Sequence, residues 1–273
     1  MAGAVPREVS MDGFINLLKP PGMTSSDAVV YVRRRLPRGT KVGHAGTLDP
    51  EAAGVLPVMV GRAARLSDYI MSGAKEYVCE IALGAATDTQ DAQGTLIGEV
   101  HEPATADALR AVLGQFTGDI MQAPSAYSAL KQDGRKLCDI ARAGGEVHTQ
   151  PRPVSIYELE YLRQTAPDGH LMRVKCSKEI GRAHVRTPVT YADLVCRAHT
   201  LEELDAGVER CIEPIDAPIS HLPAVYAPES LYPRVRCGNR LPAGELRGDV
   251  DMAGPLRLYA ARAGRDEFAG IVE

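Results

Sequence analysis

The chain has 273 residues, with 31 Lys+Arg against 35 Asp+Glu and a formal net charge of -4. That length suits one large domain or two and allows a sizeable core. A hydrophobic content of 45% excludes collagen, a disulfide mini-protein and a disordered chain. Taken whole, the acidic balance also argues against a nucleic-acid footprint.

In chain order, Gly13–Lys19 reads as a short strand stopped by Pro20-Pro21-Gly22. Ser25 or Ser26 can cap a helix to about Leu36, with Ala28, Val29, Val32 and Leu36 on one face. Residues 38–50 form a Gly-rich loop, and Val55–Val60 a buried strand or helix start. Ala63–Ile70 reads as helix and Glu76–Leu83 as a strand of alternating polarity. Asp107–Phe116 and Lys136–Ala143 read as helices, Val154–Leu162 and Leu171–Cys176 as strands. Leu201–Cys211 is amphipathic, with Thr200 as cap and Glu202 and Glu203 in its first turn. Beyond Pro223, short apolar runs split by Gly and Pro predict a small β-rich module ending in Leu256–Ala261 and Glu267–Val272. The fold class is α+β: a mixed, largely antiparallel sheet with flanking helices and a small C-terminal β-rich module. The expected division is 1–223 and 224–273.

The first residues, MAGAVPREVSMD, lack the apolar stretch of a signal peptide. The longest apolar run, near Val55, is broken by Pro57 and is too short for a membrane span. The six cysteines show no CxxC spacing. A zinc site is therefore not expected, and the reading is reduced thiols in the cytoplasm. GxGxxG and GxxxxGK[ST] are both missing from the chain, which removes support for nucleotide-phosphate folds.

Regional charge changes the first impression. Residues 1–75 carry a net +4 and 131–186 a net +4, while 76–130 carry -7 and 187–233 carry -6. The sharpest basic cluster is Arg33, Arg34, Arg35, Arg38 and Lys41. It can meet phosphates through charge and counterion release, or simply form a solvated helix end. Directly after it comes Gly43-His44-Ala45-Gly46-Thr47-Leu48-Asp49-Pro50. Its glycines allow tight turns and close ligand approach, and Pro50 restricts Asp49 to extended or turn geometry. A carboxylate is thus presented from a stiff loop beside a histidine.

At these residues the chain resembles the TruB family of tRNA pseudouridine synthases. GHAGTLDP followed by EAAGVLPV is similar to the family's catalytic motif. Lys19-Pro20 with Gly22 and Ser25 resembles KPxGxxS, and Lys75-Glu76-Tyr77 resembles KxY. Leu83-Gly84 with Thr87-Asp88-Thr89, Asp91 and Gly94 resembles LGxxTDTxDxxG. Gln122, Pro124, Tyr127, Ser128, Ala129 and Lys131 resemble QxPPxYSAxK, with Ser125 at the second proline. Ala141-Arg142 with Gly144 resembles ARxG. The resemblance runs through about residues 13–178.

The resemblance implies isomerisation of a uridine in the TΨC arm of tRNA to pseudouridine, by a cytoplasmic monomer without metal or organic cofactor. Asp49 is the implied catalytic residue, as nucleophile or as base on the sugar. The base must be flipped out of its stack, and Tyr77 is implied to stack on it or hydrogen-bond around it. His44 is implied to hold the displaced RNA, or else to structure the loop. Lys19 and Arg142 contact phosphate or brace the active-site loop. Asp88 has either a site role or, with Asp91, a place in a tight Asx-type turn. A metal-dependent hydrolase using His44 and Asp49 lacks any further ligand cluster.

The resemblance breaks after Lys178, where KGTYIRSLA is expected and Glu179-Ile180-Gly181-Arg182-Ala183-His184-Val185 stands instead. Residues 179–197 resemble the conceptual translation of a sequencing adapter, with Arg186 at the position of a stop codon. The family pattern resumes near His199 and continues to Pro214-Ile215-Asp216 and Leu222-Pro223. The alternative is a diverged loop in which Arg182 or Arg186 replaces the family's arginine. Impaired turnover is expected of this chain, and a non-catalytic tRNA-binding or RNA-folding protein is the competing function.

Overall fold

The computed structural model describes residues 11–128, 130–177, 198–248 and 253–272. The foreign-looking tract 179–197 lies outside the described residues, as does Ala129 of the QxPPxYSAxK-like motif. The strands, in chain order, are β1 Gly13–Lys19, β2 Val42–His44, β3 Gly54–Val60, β4 Lys75–Ala82, β5 Ala86–Thr87, β6 Leu96–Ile97, β7 Gly118–Gln122, β8 Lys131–Gln132, β9 Arg135–Lys136, β10 Arg152–Gln164, β11 Gly169–Cys176, β12 Ala224–Ala227, β13 Arg247–Gly248, β14 Leu256–Arg262 and β15 Arg265–Val272.

They form three main sheets, ordered β1-β3-β2, β4-β11-β10-β7 and β13-β12-β14-β15, with β5-β6 and β8-β9 as small hairpins. Among the described strands the β12–β14 pair is parallel, and the other pairings are antiparallel. The fold is α+β with a C-terminal β module, as expected.

The first sheet is covered on both faces, which explains why β1 and β3 read as apolar runs rather than clean alternations. On one face Ile15, Leu17, Leu56, Val58 and Val60 pack with Ala28, Val32 and Leu36 and with Leu204 and Val208. On the other, Phe14, Ala45 and Met59 pack with Ala63, Leu66 and Ile219. Truncating a buried leucine such as Leu56 costs about 2–5 kcal/mol by the usual transfer and cavity magnitudes.

The helix α1, Ser25–Arg33, is capped by Thr24, not by Ser25 or Ser26, and it ends before Leu36. The Thr24 Oγ1 accepts the Asp27 amide at 3.0 Å, and the Asp27 carboxylate accepts the Thr24 amide at 3.1 Å. This reciprocal pair satisfies two amides that would otherwise have no partner within the helix. Ser25 is buried and is used elsewhere, as described below.

Other expected helices keep their place but change character. Residues 63–70 split into a 3-10 turn, Gly61–Leu66, and a helix, Ser67–Met71. Residues 107–116 split similarly at Val112. Leu201–Cys211 is α-helical only to Gly207, whose φ of 154° ends the regular turn, and continues as 3-10 through Cys211. Strand β2 sits inside the expected loop 38–50, and β7 falls on an edge where sequence patterning left no strand. Its polarity does not follow its exposure, with Met121 exposed and Gln122 half-buried.

The described chain returns at Ala198 against β1. His199 donates its amide to the Asn16 carbonyl at 2.7 Å and its carbonyl accepts the Leu18 amide at 2.9 Å. Asp205 then ties its helix to α1, accepting the Tyr31 hydroxyl at 2.9 Å and pairing with Arg35. Those hydrogen bonds hold the Asp205 carboxyl below its usual range. The last sheet starts at Ala224 and has its own cluster, with Val225, Leu231, Leu256 and Leu258. It docks through Phe268 and Ile271 on the first sheet's second face and through Arg257 Nε to the Leu222 carbonyl at 2.8 Å.

Thr24→Ala is expected to lower unfolding stability by about 1 kcal/mol, the usual cost of a lost N-cap. Ser26→Ala at the exposed neighbouring position should change it by less than about 0.5 kcal/mol. Urea denaturation of both variants checks the assignment, and equal losses would overturn it.

Candidate active site

The catalytic-type loop begins where β2 stops, and Pro57 explains why it stops there. The N–H and C=O of one strand residue point to the same side. The Pro57 carbonyl accepts the Ala45 amide at 2.9 Å, so the donor that proline lacks lies on the β2 side. The reciprocal bond cannot form. Pairing therefore ends at His44↔Val58, and the chain leaves the sheet as Ala45–Asp49.

Two side chains from the N-terminal motif hold this loop. Ser25 Oγ donates to the Leu48 carbonyl at 3.0 Å and accepts the Leu48 amide at 2.9 Å. Lys19 is fully buried. Its Nζ donates to the carbonyls of Pro20 at 2.8 Å, Met23 at 2.6 Å and Pro50 at 3.2 Å. An ammonium has three donors, and all three are used. Of the two sequence readings for Lys19, this geometry is the brace rather than the phosphate contact. Burial pushes the Lys19 pKa down, while the nearby Glu51 and Asp49 carboxylates push it back up. The Gly22 amide adds a further bond to the Pro50 carbonyl at 2.9 Å.

Asp49 therefore sits between two clamped residues, Leu48 and Pro50. It is exposed, and its own carbonyl accepts the Ala52 amide at 3.0 Å, closing the turn that leads into β3. His44 bonds through Nδ1 to the Gly46 carbonyl. A carbonyl only accepts, so Nδ1 carries the proton and a neutral ring leaves Nε2 as an acceptor. This contact structures the loop, while Nε2 makes no hydrogen bond among the described residues.

The remaining candidates lie apart from this loop in the topology. Tyr77 is on β4 at the edge of the second sheet, opposite Val174. It packs on a cluster that includes Cys79, Met172 and Val174. Asp88 builds the β5–β6 hairpin, its Oδ1 accepting the amides of Thr89 and Thr95, each at 2.8 Å. Asp91 Oδ1 accepts the Thr89 hydroxyl at 2.6 Å. A Cβ at Gly94 would collide with the Thr89 hydroxyl and the Asp88 carboxylate, which explains the glycine. Arg142 is exposed at the end of the helix Leu137–Arg142. Ser25 is the functional residue that the sequence assigned to the wrong task. Its position in the KPxGxxS-like motif was the signal. Among the described residues, no group of three or more His, Cys, Asp or Glu could hold a metal ion.

The fold is a mainly antiparallel α+β core whose first sheet leads into a loop fixed on either side of Asp49. The model described as TruB family pseudouridylate synthase (N terminal domain) matches residues 33–180, more than half of the chain. The chain belongs to the TruB family, and is an isomerase.

Its likeness to curated relatives extends over the whole chain. It is 38% identical to the tRNA pseudouridine synthase B of Azoarcus sp. (strain BH72), a match covering 100% of this chain and 94% of the relative. It is 39% identical to that of Geobacillus thermodenitrificans, covering 90% and 92%. The match to that of Caldanaerobacter subterraneus subsp. tengcongensis reaches 48% identity but spans only 62% of this chain and 60% of that protein. Among solved structures, a chain of a Cbf5-Nop10-Gar1 complex superposes with a TM-score of 0.67 at 23% identity. That match covers 94% of this chain and 77% of that one, and establishes the shared fold.

Ser25→Ala is expected to speed hydrogen exchange at the Leu48 amide by about fivefold or more, since a net hydrogen bond is worth about 1 kcal/mol. Exchange measured by NMR on the folded protein checks this. An unchanged Leu48 rate would mean that the serine does not hold the loop.

Proposed function

We propose that this chain isomerises a uridine in the TΨC arm of tRNA to pseudouridine, with Asp49 as the essential carboxylate. The observation that carries this reading is the fixation of Leu48 and Pro50 on either side of an exposed Asp49. A carboxylate so presented can meet a nucleotide flipped out of its stack without first ordering its own loop. The relatives named tRNA pseudouridine synthase B support the choice of tRNA.

The proposed division of labour is as follows. Asp49 attacks or deprotonates at the sugar while the glycosidic bond breaks, and the base rejoins through carbon. Tyr77 offers a ring face and a hydroxyl to the displaced base. His44 Nε2 is available to the RNA, Lys19 braces the loop, and the exposed Arg142 is assigned a phosphate contact. Asp88 shapes its hairpin, and its proposed contact with substrate is made through that hairpin. No metal or organic cofactor is assigned. The catalytic unit is taken as 1–223 and the β-rich module as 224–273, with the protein working as a cytoplasmic monomer. Among the described residues no helix is long and apolar enough to cross a membrane.

Residues 179–197 do not carry the family's Gly-Thr-Tyr-Ile-Arg pattern. This favours a second reading for the chain as written: an RNA binder with weak turnover. A tRNA-binding assay run beside a pseudouridine assay separates the two. Asp49→Asn should abolish pseudouridine formation and leave tRNA binding measurable. Near-normal turnover of that variant would overturn the role of Asp49. Tyr77→Phe should lose less activity than Tyr77→Ala if stacking dominates, and equal losses would point to the hydroxyl.

A further inference from the structure

Strand β14 faces two ways. Leu256, Leu258 and Ala260 point into the core of the C-terminal sheet, while Arg257 and Tyr259 alternate to the opposite face. On that face aromatic rings stand in a row across three strands. Tyr226 on β12 lies opposite Tyr259 and stacks on it, with ring centroids 5.2 Å apart. Phe268 on β15 meets Tyr259 edge-on at 5.8 Å. Phe268 reaches this face because the β14–β15 register slips. Leu258 pairs with Gly270 and Tyr259 with Phe268, so Ala269 is the extra residue of a bulge. In an unbroken register Ala269 would stand opposite Tyr259, and Phe268 would turn to the other face.

Tyr259 ends on a carboxylate from outside the sheet. Its hydroxyl donates to Asp216 and accepts Arg257 Nη1 at 3.0 Å. Arg257 pairs with the same carboxylate at 3.7 Å, and both side chains are mostly buried. Arg257 also donates Nε to the Leu222 carbonyl and its amide to the Pro223 carbonyl, each at 2.8 Å. Burial and the Asp216 carboxylate push the Tyr259 hydroxyl up to about 12, so it stays a donor at neutral pH.

Asp216 leads onward to the catalytic-type loop. Its carbonyl accepts the Ile219 amide at 3.1 Å, in the 3-10 turn Ala217–Ile219. The fully buried Ile219 belongs to the cluster of Phe14, Ala45 and Met59, against which Phe268 and Ile271 also pack. Ala45 is the first residue of the Asp49 loop. The C-terminal sheet thus reaches the cluster that seats this loop by two routes, directly through β15 and through Asp216 and Ile219.

We propose that Tyr259, Arg257 and Asp216 are positioning residues for the isomerisation, locking the C-terminal sheet against the cluster that seats Ala45. The proposal rests on the reading of the Asp49 loop given above. It gives the C-terminal sheet a part in the chemical step. A side chain that only anchors RNA alters affinity, whereas one that orders the loop alters the rate of the bound complex.

The test uses the full chain with Tyr259→Phe, with Asp216→Asn and with both, folding being checked by thermal melting. Amide exchange followed by NMR needs no RNA. In each single variant the Ala45 amide, bonded to the Pro57 carbonyl at 2.9 Å, should exchange about fivefold faster, while the Val174 amide on β11 keeps its rate. Single-turnover pseudouridine formation on a tRNA transcript at saturating enzyme should slow by about tenfold in each. Affinity for tRNA, measured by filter binding in the Asp49→Asn background, should stay within about twofold. The double variant should lose no more than the worse single one, because both changes remove the same contact. An unchanged Ala45 exchange rate overturns the proposal, as does weaker tRNA binding with an unchanged single-turnover rate, or losses that simply multiply. Undiminished turnover of Asp49→Asn alone overturns the reading of the loop and, with it, the part in chemistry, whatever the exchange rates show.

Discussion

The buried ammonium of Lys19 holds the end of β1, the turn after it and the Asp49 loop in one arrangement. Moving an ammonium out of water costs several kcal/mol unless it is hydrogen-bonded on every side. Here the three acceptors come from Pro20, Met23 and Pro50. Two belong to the turn that follows β1, and the third belongs to the residue after Asp49. If the Pro50 carbonyl moved away, one donor of a fully buried cation would lose its partner. The cost of burial therefore works as a restraint on the loop, and the KP pair of the N-terminal motif acquires a physical reason.

That restraint would be idle if the loop were still part of the sheet. Pro57 releases it by removing the donor that the next β2 pair would need, and Ser25 then captures Leu48 as it departs. Three residues from three segments thus divide one task. Pro57 ends the strand, Ser25 fixes the residue before Asp49, and Lys19 fixes the residue after it. Both clamps bond to the backbone of Leu48 and Pro50, so neither of them uses the Asp49 carboxylate. His44 adds a short internal bond to Gly46, so the imidazole shapes the loop on one nitrogen and can meet a ligand with the other.

Much of this was legible in the residues, and the misses have identifiable causes. β1 was read with its observed bounds because a short apolar run ends in Pro-Pro-Gly. The helix after Thr200 was read from its cap, and the capping box with Glu203 is present. Thr24 was passed over because three hydroxyl residues stand in a row, and only the reciprocal bond with Asp27 distinguishes the cap. β2 was hidden because Val42–His44 is too short for any period. β7 was hidden because an edge strand has no second partner to demand apolar residues. Lys19 could not be decided from sequence at all: a lysine in a motif suggests an anion, and only its burial among carbonyls shows that its donors are spent.

The acidic total of the chain was the least informative number in the sequence. Charge acts over about 8–10 Å at physiological salt, so what matters is which residues lie within that distance of one another. Asp12, Arg38 and Lys41, and Arg62 and Arg65 belong to three segments separated along the chain, yet they line one cavity. The basic run read as a possible helix end is consequently divided by the fold. Arg35 pairs with Asp205 and Arg33 donates to the Val42 carbonyl. Arg38 and Lys41, beyond the helix, keep their charge for the cavity. The same sheet thus carries a clamped carboxylate at one end and a cationic concavity at the other.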